Sequence, residues 1–160
     1  MRDKILGYLE AHGHFDLEEM SILLGMEQVD IANEIAAMEK EGIICGYLTL
    51  INWDKAGTEK VSAMIEVKVT PQRDRGFDSV AERIFRYNEV DSVYLVSGSF
   101  DLMVMIEGSS MREVAMFVAN KLSTLDSVLS TSTNFVLKKY KDHGVYLVEE
   151  AKDERMKITP

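Results

Sequence analysis

Val61-Ser62-Ala63-Met64-Ile65-Glu66-Val67-Lys68-Val69-Thr70 decides the fold class. Val61, Ala63, Ile65, Val67 and Val69 alternate with Ser62, Met64, Glu66, Lys68 and Thr70, the period of two of a strand with one buried and one open face. Pro71 ends the run, because proline cannot donate to a ladder. Downstream, Phe77, Val80, Ala81, Ile84 and Phe85 fall at helical spacing, and Tyr87-Asn88 closes that helix. Two strands follow, about Val90 to Val96 and Leu102 to Glu107, joined by Ser97-Gly98-Ser99-Phe100-Asp101. Ser109 or Ser110 caps a helix carrying Met111, Val114, Ala115, Phe117, Val118 and Leu122. A last strand spans about Ser127 to Lys138, with Leu129, Thr131, Thr133, Phe135 and Leu137 on one side.

This order, βαββαβ, is that of the ferredoxin-like sandwich. Its two helices cover one sheet face. The other face carries Met64, Met103 and Met105, which would be a large exposed apolar patch, so the expectation is a homodimer that packs sheet on sheet. Beyond Tyr140 the chain is a charged tail, 141–160, whose short apolar stretch Val145-Tyr146-Leu147-Val148 either adds a strand, docks, or stays loose.

Upstream the period is helical. Ile5, Leu6, Tyr8 and Leu9 open an apolar stripe that Gly13 stops. Asp16 can cap a second helix, Leu17 to Leu24, with Glu19 in the capping-box position, and Gly25 ends it. A third helix runs from about Glu27 to Lys40 with Ile31, Ile35 and Met38 on one face, and Gly42 closes it. Helix, glycine turn, helix is the outline of a helix-turn-helix. Ile43 to Ile51 is β-branched and aromatic and reads as a strand, broken by Asn52-Trp53-Asp54-Lys55-Ala56-Gly57. The fold class is therefore α+β: a winged-type helix-turn-helix of three helices over residues 1–52, a strand linker, a ferredoxin-like domain over 53–140, and a tail. Cys45 on the linker reads as a small buried hydrophobe, and Trp53 as a packing anchor at the domain junction.

The composition bounds the function. Of 160 residues 46% are hydrophobic, enough to bury a core, which excludes a disordered chain. No apolar run approaches the roughly 20 residues that cross a bilayer, and the N-terminus lacks a secretory apolar region, so a soluble cytoplasmic protein without membrane contact is expected. The single cysteine excludes an internal disulfide. His12-x-His14 could hold a metal, but no third ligand lies nearby, and a surface or capping role fits better. No Ser/His/Asp or Cys/His set and no phosphate-cradling glycine loop occurs, so neither an enzyme nor a cofactor is expected. The net charge is -9, and it is uneven: residues 1–52 carry three basic and ten acidic side chains, the remainder fifteen and seventeen. The acidity belongs to the first third.

With the helix-turn-helix ending Met38-Glu39-Lys40-Glu41-Gly42-Ile43-Ile44, the Gly46-Tyr47 linker, the Gly98-x-x-Asp101 turn and the last strand Val128 to Leu137, residues 2 to 140 resemble the Lrp/AsnC family of bacterial and archaeal transcriptional regulators. The resemblance implies an N-terminal domain that binds double-stranded DNA with its third helix in the major groove. On this chain that surface is Gln28, Val29, Ala32, Asn33 and Lys40; apart from the resemblance, Arg2, Lys4 and Lys40 are the cations of this region that can reach the DNA backbone. It also implies a C-terminal domain that dimerises, assembles into octamers of four dimers, and binds a small effector such as an amino acid. Carried over by position, the effector residues are Ser97, Gly98, Ser99, Asp101, Thr131 and Thr133. A zwitterion needs an anionic acceptor and several donors close together, which Asp101 and backbone N–H groups freed by Gly98 could supply. The same residues can equally form a plain hairpin turn.

The third helix departs from the family pattern. Where relatives usually carry Ser or Thr at its start and Arg or Lys along it, this chain has Glu27, Asn33, Glu34, Ala36 and Ala37. A carboxylate repels phosphate, and each missing cation removes a counterion-release contribution. Gln28 and Asn33 can still hydrogen-bond adenine edges. Two functions follow: an effector-responsive DNA-binding regulator, or a metabolite sensor or hetero-oligomer subunit that does not bind DNA.

Overall fold

In the computed structural model, which describes residues 1–14, 16–71, 73 and 76–148, the alternating run forms β1 (Val61–Val69). Ala63, Ile65 and Val67 are fully buried, while Met64 on the opposite face is 37% exposed. β1 lies inside a four-stranded antiparallel sheet with β2 (Val90–Leu95), β3 (Leu102–Gly108) and β4 (Val128–Val136), in the order β2-β3-β1-β4. That order follows from the chain path. Each helix carries the chain from one strand to another running parallel to it, and an antiparallel strand fills the gap between them.

Two helices cover one face, each for a reason visible in its residues. After α1 (Arg2–His12), α2 (Leu17–Leu24) and α3 (Gln28–Lys40) of the first 51 residues, α4 (Trp53–Ala56) is a single turn, and α5 (Asp78–Phe85) buries Val80 and Ile84. α6 (Met111–Phe117) starts at Ser110, whose Oγ accepts from Glu113 N at 3.1 Å, while Glu113 Oε2 receives both Ser109 N and Ser109 Oγ at 2.6 Å. These bonds hold the Glu113 carboxyl below its ordinary value. α6 runs on into a π-helical stretch, Val118–Leu122, and Ser123 N donates to Val118 O at 2.8 Å. The wider turn swings Leu122 fully into the core beside Val114 and Phe117. Burying one such aliphatic side chain contributes about 1.5–3 kcal/mol.

The chain divides into two units, Met1–Ile51 and Asn52–Pro160. In the first, α1 (Arg2–His12) ends at Gly13 (φ 68°). α2 (Leu17–Leu24) starts at Asp16, whose Oδ1 accepts from Glu18 N and Glu19 N at 2.8 and 3.2 Å. Gly25, with φ 65°, turns the chain into α3 (Gln28–Lys40); a β-carbon there would be strained. Ile5, Tyr8, Met20, Ile31, Ile35 and Met38 form the core of this unit, so one stripe of each helix meets at a single centre.

Several expectations are corrected. Residues 45–52 form no strand: the β-prone composition is there, but among the described residues nothing pairs with it. Cys45 is accordingly exposed rather than buried, its Sγ donating to Gly42 O at 3.2 Å. Asn52 does more than break a strand. Its Oδ1 accepts from Lys55 N at 3.1 Å and caps α4, and its Nδ2 donates to Leu147 O at 3.0 Å. On β4, Thr131, Thr133 and Phe135 do share the helix-side face, opposite Val67, Ile65 and Ala63. Leu129 sits at the irregularity where Val69 pairs Val128, Leu137 lies past the strand, and both are exposed. The tail begins as a hairpin of β5 (Lys141–Asp142) and β6 (Val145–Tyr146), turned by His143 (φ 44°) and Gly144 (φ 81°), the positive pair a tight hairpin requires. Residues 149–160 of the tail lie outside the described residues.

Candidate nucleic-acid interface and effector site

At 100° per residue, Ile31, Ile35 and Met38 point α3 into the core, so Val29, Asn33, Ala36 and Lys40 form the row on its far side. All four are exposed, Val29 by 69%, and Ala32 beside them is half-buried. Gln28, the first helical residue, is exposed as well. The row holds no carboxylate. The acids of this region stand on its flanks, and three are already engaged. Arg2 Nε meets Glu34 Oε2 at 2.8 Å, and its two terminal nitrogens form a fork on Glu41 at 2.7 and 2.9 Å. Glu41 first, then Glu34, raises the guanidinium further above its ordinary value, and Arg2 in turn lowers the Glu41 carboxyl. Tyr47 Oη donates to Glu39 Oε1 at 2.9 Å. Arg2 is thus held by carboxylates, whereas Lys4 and Lys40 are exposed.

His12 and His14 each set one ring nitrogen against a backbone carbonyl. His12 Nδ1 lies 2.8 Å from Tyr8 O, and His14 Nδ1 lies 2.9 Å from His12 O. Among the described residues no group of three or more His, Cys, Asp or Glu could hold an ion.

In the sheet unit, the loop from Ser97 to Asp101 joins β2 to β3. Asp101 fixes it with three bonds: its N–H donates to Val67 O at 3.0 Å, its carbonyl accepts from Val96 N at 2.9 Å, and Oδ2 accepts from Val69 N at 2.9 Å. The last bond falls just past the end of the β1/β3 ladder, whose final pair is Val67 and Leu102, so the carboxylate satisfies an N–H that β3 no longer reaches. Gly98 does not need to be glycine in this chain: its φ is not left-handed, and a β-carbon there would meet nothing within 4 Å. Leu102, Val67 and Thr131 stand in one row across β3, β1 and β4, which places the loop and Thr131 at the same end of the sheet. The backbones of Leu102 and Thr131 stand two strand spacings, about 10 Å, apart. Thr133 lies two residues further in, opposite Ile65. Thr131 Oγ1 is 3.5 Å from Ser123 Oγ, at the end of the π-helical stretch.

Residues 62–146 match the Lrp/AsnC ligand binding domain. Over 158 residues, covering 98% of this chain and 95% of the relative, the sequence is 49% identical to the uncharacterised HTH-type transcriptional regulator YugG of Bacillus subtilis. The chain belongs to the Lrp/AsnC family. It is a helix-turn-helix transcription regulator of that family, and its relatives are named as regulators. The fold is shared with a Neisseria meningitidis transcriptional regulator solved with L-methionine (TM-score 0.69, 23% identity, 87% of this chain and 89% of that one). It is also shared with a Mycobacterium tuberculosis feast or famine regulatory protein solved with L-methionine (TM-score 0.70, 20% identity, 91% and 96%).

For this Lrp/AsnC chain, then, Val29, Asn33 and Lys40 share one helix row with Ala36, while Gln28 and Ala32 lie beside it. Asp101 and Thr131 come to one sheet end, Thr133 lies deeper, and Ser97, Gly98 and Ser99 are exposed in the loop. Sequence reasoning passed over Ser123, whose nearness to Thr131 depends on the π-helical stretch and has no local sequence signal.

Proposed function

We propose that this Lrp/AsnC regulator binds double-stranded DNA through α3 and changes its affinity when a small effector, an amino acid, binds at the sheet end that holds Asp101 and Thr131. The observation that supports the DNA half is the outward row of α3, which is free of carboxylates despite the acidity around it. Gln28, Val29, Ala32 and Asn33 are the base-reading side chains, and Lys40 contacts phosphate. For the effector half, Asp101 Oδ2 is committed to Val69, so Oδ1 is the oxygen that takes an ammonium, and Thr131, Thr133 and the loop residues Ser97, Gly98 and Ser99 supply donors. As the family resemblance implies, the effector lies at contacts between dimers.

Assembly follows from the uncovered sheet face. Met64, Met103 and Met105 lie there with Tyr94, and a second sheet of the same kind covers them in a homodimer that assembles further, as four dimers, into an octamer. No helix among the described residues is long and apolar enough to cross a membrane, and a regulator of DNA acts in the cytoplasm. The effector acts through unequal affinity for assemblies that space the DNA-binding units differently.

The test is electrophoretic retardation of a duplex carrying the region upstream of the protein's own coding sequence. Retardation at low salt is expected, with Asn33→Asp weakening it tenfold or more by placing a carboxylate on the row. A folded oligomer that retards nothing overturns the DNA half. The second reading, a partner-docking subunit, draws on α2, which leaves Ile22 and Leu23 exposed by 76% and 61%. Co-purification with a basic partner protein would support that reading.

A further inference from the structure

We infer that the β5–β6 hairpin, with the lysine that leads into it, is a second phosphate-contact surface for duplex DNA, separate from α3 and indifferent to base sequence. The inference rests on the DNA-binding reading above and supplies cations that the first unit lacks.

The first unit holds three basic residues, Arg2, Lys4 and Lys40, and Arg2 is committed to Glu34 and Glu41. Two cations neutralise little of a backbone that carries about one charge per 1.7 Å of duplex. The hairpin region has the opposite balance. Between Asp126 and Glu149, in a chain of net charge -9, stand three lysines, Lys138, Lys139 and Lys141, and one acid, Asp142. Residues 149–160 hold four acidic and three basic side chains, which nearly cancel.

The neighbouring acids are engaged by other groups. Lys139 Nζ lies 3.7 Å from Asp142 Oδ2, and His143 Nδ1 lies 2.8 Å from Asp142 Oδ1. Glu107 meets Lys60 Nζ at 3.2 Å and Lys139 Nζ at 4.0 Å. Asn52 ties α4 to the hairpin through Leu147 O, and α4 brings one acid and one base, Asp54 and Lys55. Lys138 and Lys141 remain, and among the described residues neither pairs with a carboxylate.

Each of these two lies over a tyrosine ring instead, Lys138 Nζ 5.2 Å from the centre of Tyr140 and Lys141 Nζ 4.8 Å from that of Tyr146. Both rings are largely exposed. A ring positions a cation without neutralising its charge, and a tyrosine hydroxyl is itself a phosphate donor. Lys141 and Tyr146 pair across the hairpin and share one face, while Asp142 and Val145 take the other, so the lysine face is free of acid. The tight turn at His143 and Gly144 fixes that arrangement. Lysine and tyrosine contacts to phosphate carry no base information. An anionic bilayer is read by clusters of about four to eight cations, more than this surface offers.

The experiment titrates two labelled duplexes of equal length, the upstream region and an unrelated sequence, with the intact protein across a salt series. Lys138→Gln combined with Lys141→Gln should make the slope of log K against log salt shallower by about two per bound chain, on both duplexes alike. Both lysines are exposed, and Lys138→Arg with Lys141→Arg keeps the charge and should restore the slope, which separates charge from folding. Arg112→Gln, on α6, removes a cation elsewhere on the same unit and should leave the slope unchanged. An unmoved slope in the glutamine variant, or a loss confined to the upstream duplex, overturns the inference and leaves binding through α3 standing. Capture of the protein by phosphatidylglycerol vesicles through these lysines, with DNA binding unmoved, overturns it likewise. Retardation of neither duplex by the wild-type protein overturns the DNA-binding reading itself, and this inference with it.

Discussion

Asp101 holds its loop with backbone and side chain together, and the carboxylate bond to Val69 N is the one a single substitution can remove cleanly. Asp101→Ala leaves that N–H without an acceptor at the end of the β1/β3 ladder and should destabilise the protein by about 1–3 kcal/mol. Asp101→Asn keeps an oxygen in place and should stay within about 1 kcal/mol of wild type. Urea denaturation of the two variants measures the difference. Arg2 supports a second prediction. Glu41 has its carboxyl lowered by Arg2, so the pair's contribution is present above the ordinary carboxylate range and is lost as pH falls through the lowered value. The gap in melting temperature between wild type and Arg2→Met should therefore be open at neutral pH and close in acid, below about pH 4. Neither bond is visible in the sequence. Asp101 reads equally well as turn or ligand, and Arg2 reads as a phosphate contact, because their partners lie 32 and 39 residues away.

At the scale of elements, the strongly periodic segments were legible and the short or partner-dependent ones were not. β1 and α2 carry their signals within themselves, as alternation in one and Asp16 with Gly25 in the other. The stretch from Ile43 to Ile51 carries strand composition, but a strand exists only with a ladder, and composition does not supply one. α4 has a cap and a closing glycine but is a single turn, too short for any period to show. The caps themselves can be tested. Gly25→Ala forces a β-carbon onto φ 65° and should cost about 1–2 kcal/mol. Ser110→Ala removes the bond to Glu113 N and should cost about 1 kcal/mol. Thermal denaturation of each variant against wild type reads both effects.

For the whole molecule, the two findings that matter are an acidic helix-turn-helix whose outward α3 row is uncharged except for Lys40, and a sheet face left open by its own helices. The open face was legible from the alternation alone. The outward row follows from Ile31, Ile35 and Met38 and the helical period, whereas the partners that Arg2 and Tyr47 find among the flanking acids carry no sequence signal. If the open face is the dimer seam, Met105→Asp places a charge in its middle and should convert the protein to monomers at micromolar concentration, read by light scattering. The measurement that bears most directly on the account is fluorescence anisotropy of labelled upstream DNA titrated with the intact protein across a salt series, with L-methionine and a mixture of the other amino acids added or omitted. The account predicts saturable binding, a negative salt slope, and an affinity that shifts with at least one amino acid. A folded, oligomeric protein that leaves the DNA free at the lowest salt, with or without amino acids, would contradict it.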